Sequence, residues 1–518
     1  MRLVHSLLEQ SAQRFPDKTA IICGERHISF AELDMAANGL AHALTAEGVA
    51  QGDRVAVFLE NSVEAVVALF GILKVGAVFS LINASVKADK LRHVLLDERA
   101  TALITVNDAQ RRRVVEGVLA ASSTSTCVWV GGVPELTAVP GVRHRDWREL
   151  LGCGAVEPPA VPILDQDLGT IIYTSGTTGQ PKGVTSLHRD MVFAASAIAR
   201  YLGNSPSDVI FCSLSIAFTY GLYQLMTAML VGATLVLEKN FVFPHRALEV
   251  MAREGVTGLP GVPTMFSLLL GVKKLYRYDL RSLRYITNAA APLPVDRIRQ
   301  LRSAFPQAKF FSMYGQTECK RACYLPPEEL DRRPSSVGIP IPGTAAAVVD
   351  GDGIPVPAGT IGELVVRGPH LMSGYWGKPE ETAKKLRLDP ASGDMVLHCG
   401  DLFRMDEDGF LYFVSRADDI IKCRGEKVSP NEVENALYEL PGIADVVAIG
   451  VADDVLGEAI KVFVVRDEGS GLIERDIRAF CAQRLEDYMV PKYVEFRTEL
   501  PKSENGKTLR KDLRVCAE

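Results

Sequence analysis

Between Ser6 and Met313, short apolar runs alternate with capped helical patterns, and few folds accommodate that alternation. Ser6 to Phe15 reads as helix and Thr19 to Cys23 as a strand. Ser29 stands at the N-cap of a helical stretch from Phe30 to Leu44. Arg54 to Leu59 reads as a strand, Ser62 as the cap of the next helix, and Ala102 to Val106 as another strand. Residues 120–166 carry Ser, Thr, Gly and Pro clusters and are expected to form loops and edge strands. The alternation then resumes with Val209 to Leu214, Thr234 to Leu237, Tyr285 to Thr287 and Lys309 to Met313. Strands separated by helices of this kind predict stacked α/β layers with mostly parallel sheets.

The texture changes at about residue 340, where short strands with Gly/Asp turns predict a β-rich subdomain reaching residue 417. Beyond it, helix Pro430 to Tyr438, strands Val446 to Val451 and Ala459 to Val465, helix Ile473 to Arg484 and strand Tyr493 to Phe496 predict a compact βαβ-like unit. The 518 residues therefore divide into an expected large domain, 1–417, and a small one, 418–518.

A net charge of −6 argues against a nucleic-acid binder. The start lacks a secretory pattern, and the ten cysteines follow no pairing logic, so a cytoplasmic protein with reduced thiols is expected. Neither the cysteines, Cys319 and Cys323 included, nor the nine histidines suggest a metal site. The longest apolar stretches, Val66 to Ile82 and Gly221 to Leu237, are interrupted by Lys74, Gln224 and glycines. Each is expected to be a buried helix followed by a strand, not a membrane span.

The chemistry concentrates in Tyr173-Thr-Ser-Gly-Thr-Thr-Gly-Gln-Pro-Lys-Gly-Val184. A buried strand opens there into a loop with the hydroxyls of Thr174, Ser175, Thr177 and Thr178, the glycines Gly176, Gly179 and Gly183, and the cation Lys182. Glycines admit a ligand close to the backbone, and hydroxyls with a lysine suit a polyphosphate. The spacing is not that of a Walker A loop, and a plain Ser/Gly/Thr linker is the alternative reading.

Four further segments accompany that loop: Asn288-Ala-Ala-Ala-Pro292, Tyr314-Gly-Gln-Thr-Glu318, Gly400-Asp-Leu-Phe403 with Ser415-Arg-Ala-Asp-Asp-Ile-Ile-Lys422, and Pro501-Lys-Ser-Glu-Asn-Gly-Lys507. In order and spacing the five resemble the AMP-forming acyl/aryl-CoA ligases, the family that also holds non-ribosomal adenylation domains and beetle luciferases. The resemblance spans nearly the whole chain. It implies a large N-terminal domain of two stacked α/β sheets plus a β-barrel, hinged to a small α+β C-terminal domain.

It also implies roles. The loop Thr174 to Gly179 and Lys182 would hold ATP phosphates, and Glu318 the Mg²⁺ that bridges them, as suits a hard cation. Thr317 would support the phosphate, and Tyr314 would stack on adenine, with Asn288, Ala289, Ala290 and Gly315 around the nucleotide. Asp401 would accept both ribose hydroxyls, and Arg416 would contact ribose or phosphate. Lys507 would neutralise the charge that develops during adenylation. Asp418 would be the hinge of a rotation that replaces Lys507 with the loop of Lys422 and Gly425 and opens a pantetheine tunnel. This chain has Cys399 where relatives usually carry Thr, and Ser415 where they carry Gly.

By the same resemblance, the acid pocket would be built by Ile216 to Leu222, with Phe218, Thr219, Tyr220 and Gly221, by Gly261 to Thr264, by Asn288 to Ala291 and by Gly315-Gln316. Phe218, Thr219 and Tyr220 bring no carboxylate to pair an ammonium, so an α-amino acid is disfavoured and an uncharged aryl or medium acyl acid is expected. Lys320 and Arg321 follow Cys319 and could meet a polar substituent or CoA phosphates, but a surface pair is expected. The leading reading is an ATP-dependent acid–thiol ligase that makes an acyl-adenylate and passes the acyl group to CoA. The alternatives are a stand-alone adenylation enzyme that loads a carrier protein's phosphopantetheine, and a non-catalytic nucleotide-binding protein.

Overall fold

The structure, a computed structural model, describes residues 3–135, 139–152, 157–175, 181–389, 393–416, 419–424, 426–453, 456–502 and 508–515. Two sheets dominate the N-terminal part. The first runs in the order Ile339–Pro340, Cys323–Tyr324, Lys309–Tyr314, Tyr285–Asn288, Gly258–Gly261, Val209–Cys212, Thr234–Leu237, Thr19–Cys23, Arg26–Ser29. Its middle six strands are parallel. The chain leaves Val209–Cys212 through helix Thr219–Val231 to the strand on one side. It then returns through helix Pro244–Arg253 to Gly258–Gly261 on the other side. The connections thus diverge at Val209–Cys212, and such a divergence opens a crevice beyond the carboxyl ends of the strands.

The second sheet runs Gly374–Tyr375, Pro181–Leu187, Leu168–Ser175, Val78–Leu81, Arg54–Phe58, Ala102–Val106, Thr126–Val130, Arg143–Asp146. One continuous core takes side chains from both sheets and from helices Phe30–Ala46, Val63–Lys74 and Thr219–Val231. The predicted cap is present as a reciprocal pair: Glu32 N–H donates to Ser29 Oγ at 3.2 Å and Ser29 N–H to Glu32 Oε2 at 2.8 Å. Ser62 caps the next helix by accepting from Ala65 N–H at 3.1 Å. That helix is buried throughout, and its Lys74 is neutralised by Glu9 at 2.7 Å and Asp34 at 2.9 Å. Among the described residues no helix is long and apolar enough to cross a membrane.

Residues 120–166 depart from expectation. Thr126–Val130 is an interior strand, parallel to Ala102–Val106 on one side and to Arg143–Asp146 on the other. Trp129 is fully buried, and its Nε1 donates to His144 Nδ1 at 3.0 Å. A five-residue run buried on both faces shows no alternation, so its place in the sheet was not legible. Arg143–Asp146 does form the edge, and its polar side chains suit it: Arg143 and Arg145 both pair with Glu47.

The β-rich subdomain is an antiparallel sheet ordered Ala345–Val349, Ile361–Arg367, Met395–Met405, Leu386–Leu388, with Leu411–Arg416 also on Met395–Met405. Among the described residues its ladders run in an open order. The C-terminal sheet joins Ile443–Asp453, Gly457–Arg466 and the hairpin Ile421–Cys423/Glu426–Val428 in antiparallel fashion. Helix Glu474–Arg484 connects Gly457–Arg466 to the parallel strand Tyr493–Arg497, the expected βαβ unit.

Two buried histidines tie the N-terminus to the core. His188 Nδ1 accepts from Val4 N–H at 3.1 Å, and the His5 and His188 rings meet edge to face at 5.8 Å. Burial pushes both down to about 4 from 6.5. Above pH 6.5 neither the folded nor the unfolded chain binds these protons. Between 6.5 and 4 the unfolded chain takes them up and the folded chain does not. Stability should therefore fall as pH drops through that window, by about 3 kcal/mol per histidine at most. Urea midpoints at pH 7 and 4.5 measure the fall; a His5→Gln, His188→Gln double variant with the same fall as wild type would discount the pair.

Candidate active site

The motif residues collect at the carboxyl ends of the parallel strands. Gly261, Asn288 and Ser312 stand in register, and Tyr314 ends the third of these strands. Beside them, Tyr314 OH donates to Asp401 Oδ2 at 2.6 Å, and Gln316 Nε2 donates to the same oxygen at 2.9 Å and to Cys399 O at 3.0 Å. The Tyr314 ring lies edge to face on Phe403 at 4.8 Å and stacks on Phe413 at 6.1 Å. Asp401 is 5% exposed, and burial holds its carboxyl above the ordinary range. Its Oδ1 makes no hydrogen bond; Arg416 Nε lies 3.7 Å away, from the residue opposite in the strand ladder. A buried acceptor beside a half-exposed guanidinium is a place for donors from outside the protein.

The strand segment before Asp401 is built for that orientation. Gly400 has φ +72°, and a Cβ there would meet Lys385 Nζ at 2.6 Å. Gly400 N–H donates to Glu363 Oε1 at 2.8 Å, while Glu363 Oε2 holds His398 Nδ1 at 3.0 Å. Glu363 and Lys385 are supports that no motif announced: Glu363 stands on the neighbouring strand, and Lys385, at the end of helix Pro379–Lys385, donates to Cys399 O at 2.9 Å.

The phosphate segment begins and ends in two paired strands. Strand Leu168–Ser175 returns antiparallel as Pro181–Leu187, with Thr174 opposite Lys182. A hairpin replaces the strand-to-helix turn of a Walker A loop, in line with the spacing. Lys182 Nζ pairs with Glu381 Oε2 at 2.7 Å and sits 5.5 Å from the centroid of the Tyr375 ring. Tyr375 OH donates to Glu318 Oε1 at 2.8 Å. Lys182, Glu381, Tyr375 and Glu318 therefore meet beside the end of this strand pair. Gly176, Thr177, Thr178 and Gly179 lie outside the described residues.

In the segment expected to form the acid pocket, Tyr220 OH donates to Thr287 O at 2.9 Å and shares a 2.7 Å hydrogen bond with Thr287 Oγ1. Asn288 Nδ2 donates to Ala291 O at 3.0 Å, while Ala290 takes φ +72°, a left-handed turn that a non-glycine residue rarely adopts. Phe218 precedes helix Thr219–Val231 and is partly exposed, like Thr219, Ala290 and Ala291; Ala289 is buried. Thr317 and Thr219 share a small cavity with Tyr223 and Lys320. Gly221 serves the loop itself: an added Cβ would lie 2.3 Å from Ser215 O. Gly221→Ala should therefore cost about 2 kcal/mol or more in urea unfolding, because backbone cannot yield as a side chain can. An unchanged midpoint would remove Gly221 from that role.

Gln316, expected in the acid pocket, bonds Asp401. One placement differs from the sequence reading. Lys320 and Arg321, expected at the surface, are 5% and 3% exposed. Lys320 Nζ donates to Leu371 O at 3.2 Å, and burial pushes it down to about 8. The Arg321 guanidinium lies over the Tyr220 ring, 5.1 Å from its centroid.

Residues 8–376 match the model of the AMP-binding enzyme, and 432–507 that of the AMP-binding enzyme C-terminal domain. The chain belongs to the AMP-binding enzyme family. This AMP-binding enzyme is 32% identical to a long-chain-fatty-acid–CoA ligase of Escherichia coli O6:H1, over 98% of this chain and 93% of that relative. It is 33% identical to a feruloyl-CoA synthase of an Amycolatopsis species, covering 97% and 96% of the two chains. Its fold superposes with a TM-score of 0.91 on an anthranilate CoA ligase in complex with anthranoyl-AMP, at 29% identity and with 99% and 97% covered.

In this AMP-binding enzyme Lys422 is exposed on the hairpin of the small domain, and its backbone N–H donates to Glu458 at 2.6 Å. Ser429 Oγ and Asn431 Nδ2 both donate to Val414 O, at 2.7 and 2.8 Å, across the junction of the two domains. Asp418, Gly425 and Lys507 lie outside the described residues.

Proposed function

We propose that this AMP-binding enzyme joins a carboxylic acid to coenzyme A at the expense of ATP. The observation that carries the reading is Asp401: a buried carboxylate with one oxygen fixed by Tyr314 and Gln316 and the other without a hydrogen bond, beside Arg416. A ribose diol supplies the donors it lacks. Adenine then falls at Tyr314 and the phosphates at the hairpin of Thr174, Ser175 and Lys182. The acid enters the crevice between Tyr220, Gly261 and Asn288. Its carboxylate oxygen attacks the α-phosphorus, a P–O bond forms, and pyrophosphate leaves. A thiol then attacks the acyl carbon and AMP leaves. The relatives named as CoA ligases support this sequence.

Glu318 offers one carboxylate beside Lys182 and Tyr375, and one carboxylate together with substrate phosphate oxygens is a donor set that Mg²⁺ accepts. Glu318 would hold that ion, which neutralises phosphate charge. Among the described residues no group of three or more His, Cys, Asp or Glu forms a metal site independent of substrate. Lys507 supplies a positive charge during adenylation. Asp418, at the domain boundary, is the pivot that brings Lys422 in for the thiol step. Every cysteine among the described residues is a free thiol, which supports a cytoplasmic enzyme.

ATP–pyrophosphate exchange over benzoates, cinnamates, fatty acids, dicarboxylic acids and amino acids, followed by addition of CoA, tests the reading. Acid-dependent exchange with acyl-CoA formation is expected. Exchange without acyl-CoA assigns the thiol to a carrier protein, and no exchange with any acid refutes the ligase.

A further inference from the structure

Arg321 is a buried charge without an ion pair, held against Tyr220, a residue of the segment expected to form the acid pocket. Its side chain is 3% exposed and its Nε has no hydrogen-bond partner. Among the described residues it makes no ion pair, and its polar neighbour is the hydroxyl of Tyr201, whose ring stacks on Tyr324 at 4.1 Å. Its guanidinium carbon is held over Tyr220, which is itself anchored on Thr287, the residue before Asn288. The backbone is pinned as well: a Cβ on Gly315 would lie 2.9 Å from Arg321 Cα. Lys320 turns elsewhere, to Leu371 O, with Asp190 close enough to offset its charge. Buried guanidinium groups are normally met by carboxylates or phosphates, and one that is not is held in place for an incoming anion.

That anion is distinct from the reacting carboxylate. Glu318 faces Tyr375 and the phosphate hairpin, whereas Arg321, three residues later, faces Tyr220. The two side chains of one loop thus mark two walls, one for the reacting end and one for the far end of the acid.

We propose that the acid activated here carries, away from its reacting carboxylate, a second anionic oxygen group that Arg321 binds beside Tyr220. This rests on the acid–CoA ligase reading above. It replaces the uncharged acid expected from sequence and adds a reason against amino acids, since an ammonium would meet a buried cation.

The test compares matched pairs in acyl-CoA formation: an aliphatic monoacid against the dicarboxylic acid of the same length, and benzoate against its ring-carboxylated and ring-hydroxylated forms. The two series separate an aliphatic from an aromatic source of the anion. The wild-type enzyme should favour the anionic member of at least one pair by about tenfold or more in kcat/KM. Arg321→Met should abolish that preference by lowering kcat/KM for the anionic member, and Arg321→Lys should restore part of it, with the KM for ATP unchanged in both. Wild-type enzyme that treats every pair alike, or prefers the neutral members, overturns the proposal without needing a variant. So does an Arg321→Met loss of equal size for both members, which would place the arginine on the reacting carboxylate. Activity without discrimination overturns this inference alone; no activity with any acid overturns the ligase reading with it.

Discussion

Asp401→Asn should lower kcat/KM for ATP by about 100-fold, close to 2.7 kcal/mol of binding, while leaving the protein folded. The carboxylate has two functions that the amide performs poorly. Its Oδ2 accepts from both Tyr314 OH and Gln316 Nε2, and its Oδ1 is free of hydrogen bonds. Asparagine keeps one acceptor for the protein donors and turns an NH₂ toward the ribose, where two hydroxyls need acceptors. Stability should hold or rise, because burial already opposes the charge and lifts the carboxyl pKa. The same direction predicts a pH effect: the KM for ATP should climb on acidification sooner than an ordinary carboxylate would allow. ATP titrations of pyrophosphate exchange at saturating acid measure both effects. An Asp401→Asn enzyme with a wild-type KM for ATP would withdraw the ribose from this residue, and with it the observation on which the functional reading rests.

Glu318→Gln should lower the rate of pyrophosphate exchange by about 1000-fold, the scale of losing one group that stabilises developing charge. The substitution is chosen for its small structural cost. Tyr375 OH donates to Glu318 Oε1, and the glutamine carbonyl can still accept it. Its neighbours Lys182 and Glu381 keep their own ion pair. What is lost is the anionic oxygen that a hard cation requires. Raising Mg²⁺ should recover part of the rate if binding of the ion is weakened, and exchange within tenfold of wild type at ordinary Mg²⁺ would remove Glu318 from the metal site.

Much of the fold was legible because its signals are local. Ser29 and Glu32 announce a helix start at fixed spacing, and the box forms as read. Ala102–Val106 and Thr234–Leu237 are bounded by turns and occupy the predicted residues. Thr126–Val130 gave no such signal. Its membership in a parallel sheet depends on strands contributed from before and after it, and both its faces are buried for that reason alone.

The site divides along the same line. Tyr314, Glu318, Asp401, Arg416 and the segment around Lys182 stand in runs whose residue types state their chemistry before any coordinates are known. Their family membership follows from those runs, and the fold that places them beyond the strand ends follows from strand–helix alternation. Charge state, partner and direction are another matter. Whether Arg321 is solvated or buried, whether Gln316 reaches Asp401, and whether Glu363 and Lys385 brace the strand before Asp401 depend on residues far away in the chain. An isolated arginine is usually a surface cation, and Arg321 is buried instead. Tyr220, 101 positions earlier in the sequence, lies under its guanidinium. Pattern along a chain specifies which elements form and which side chains carry reactive groups. Burial and pairing arise only when distant elements pack, and these two quantities decide what a charge recognises.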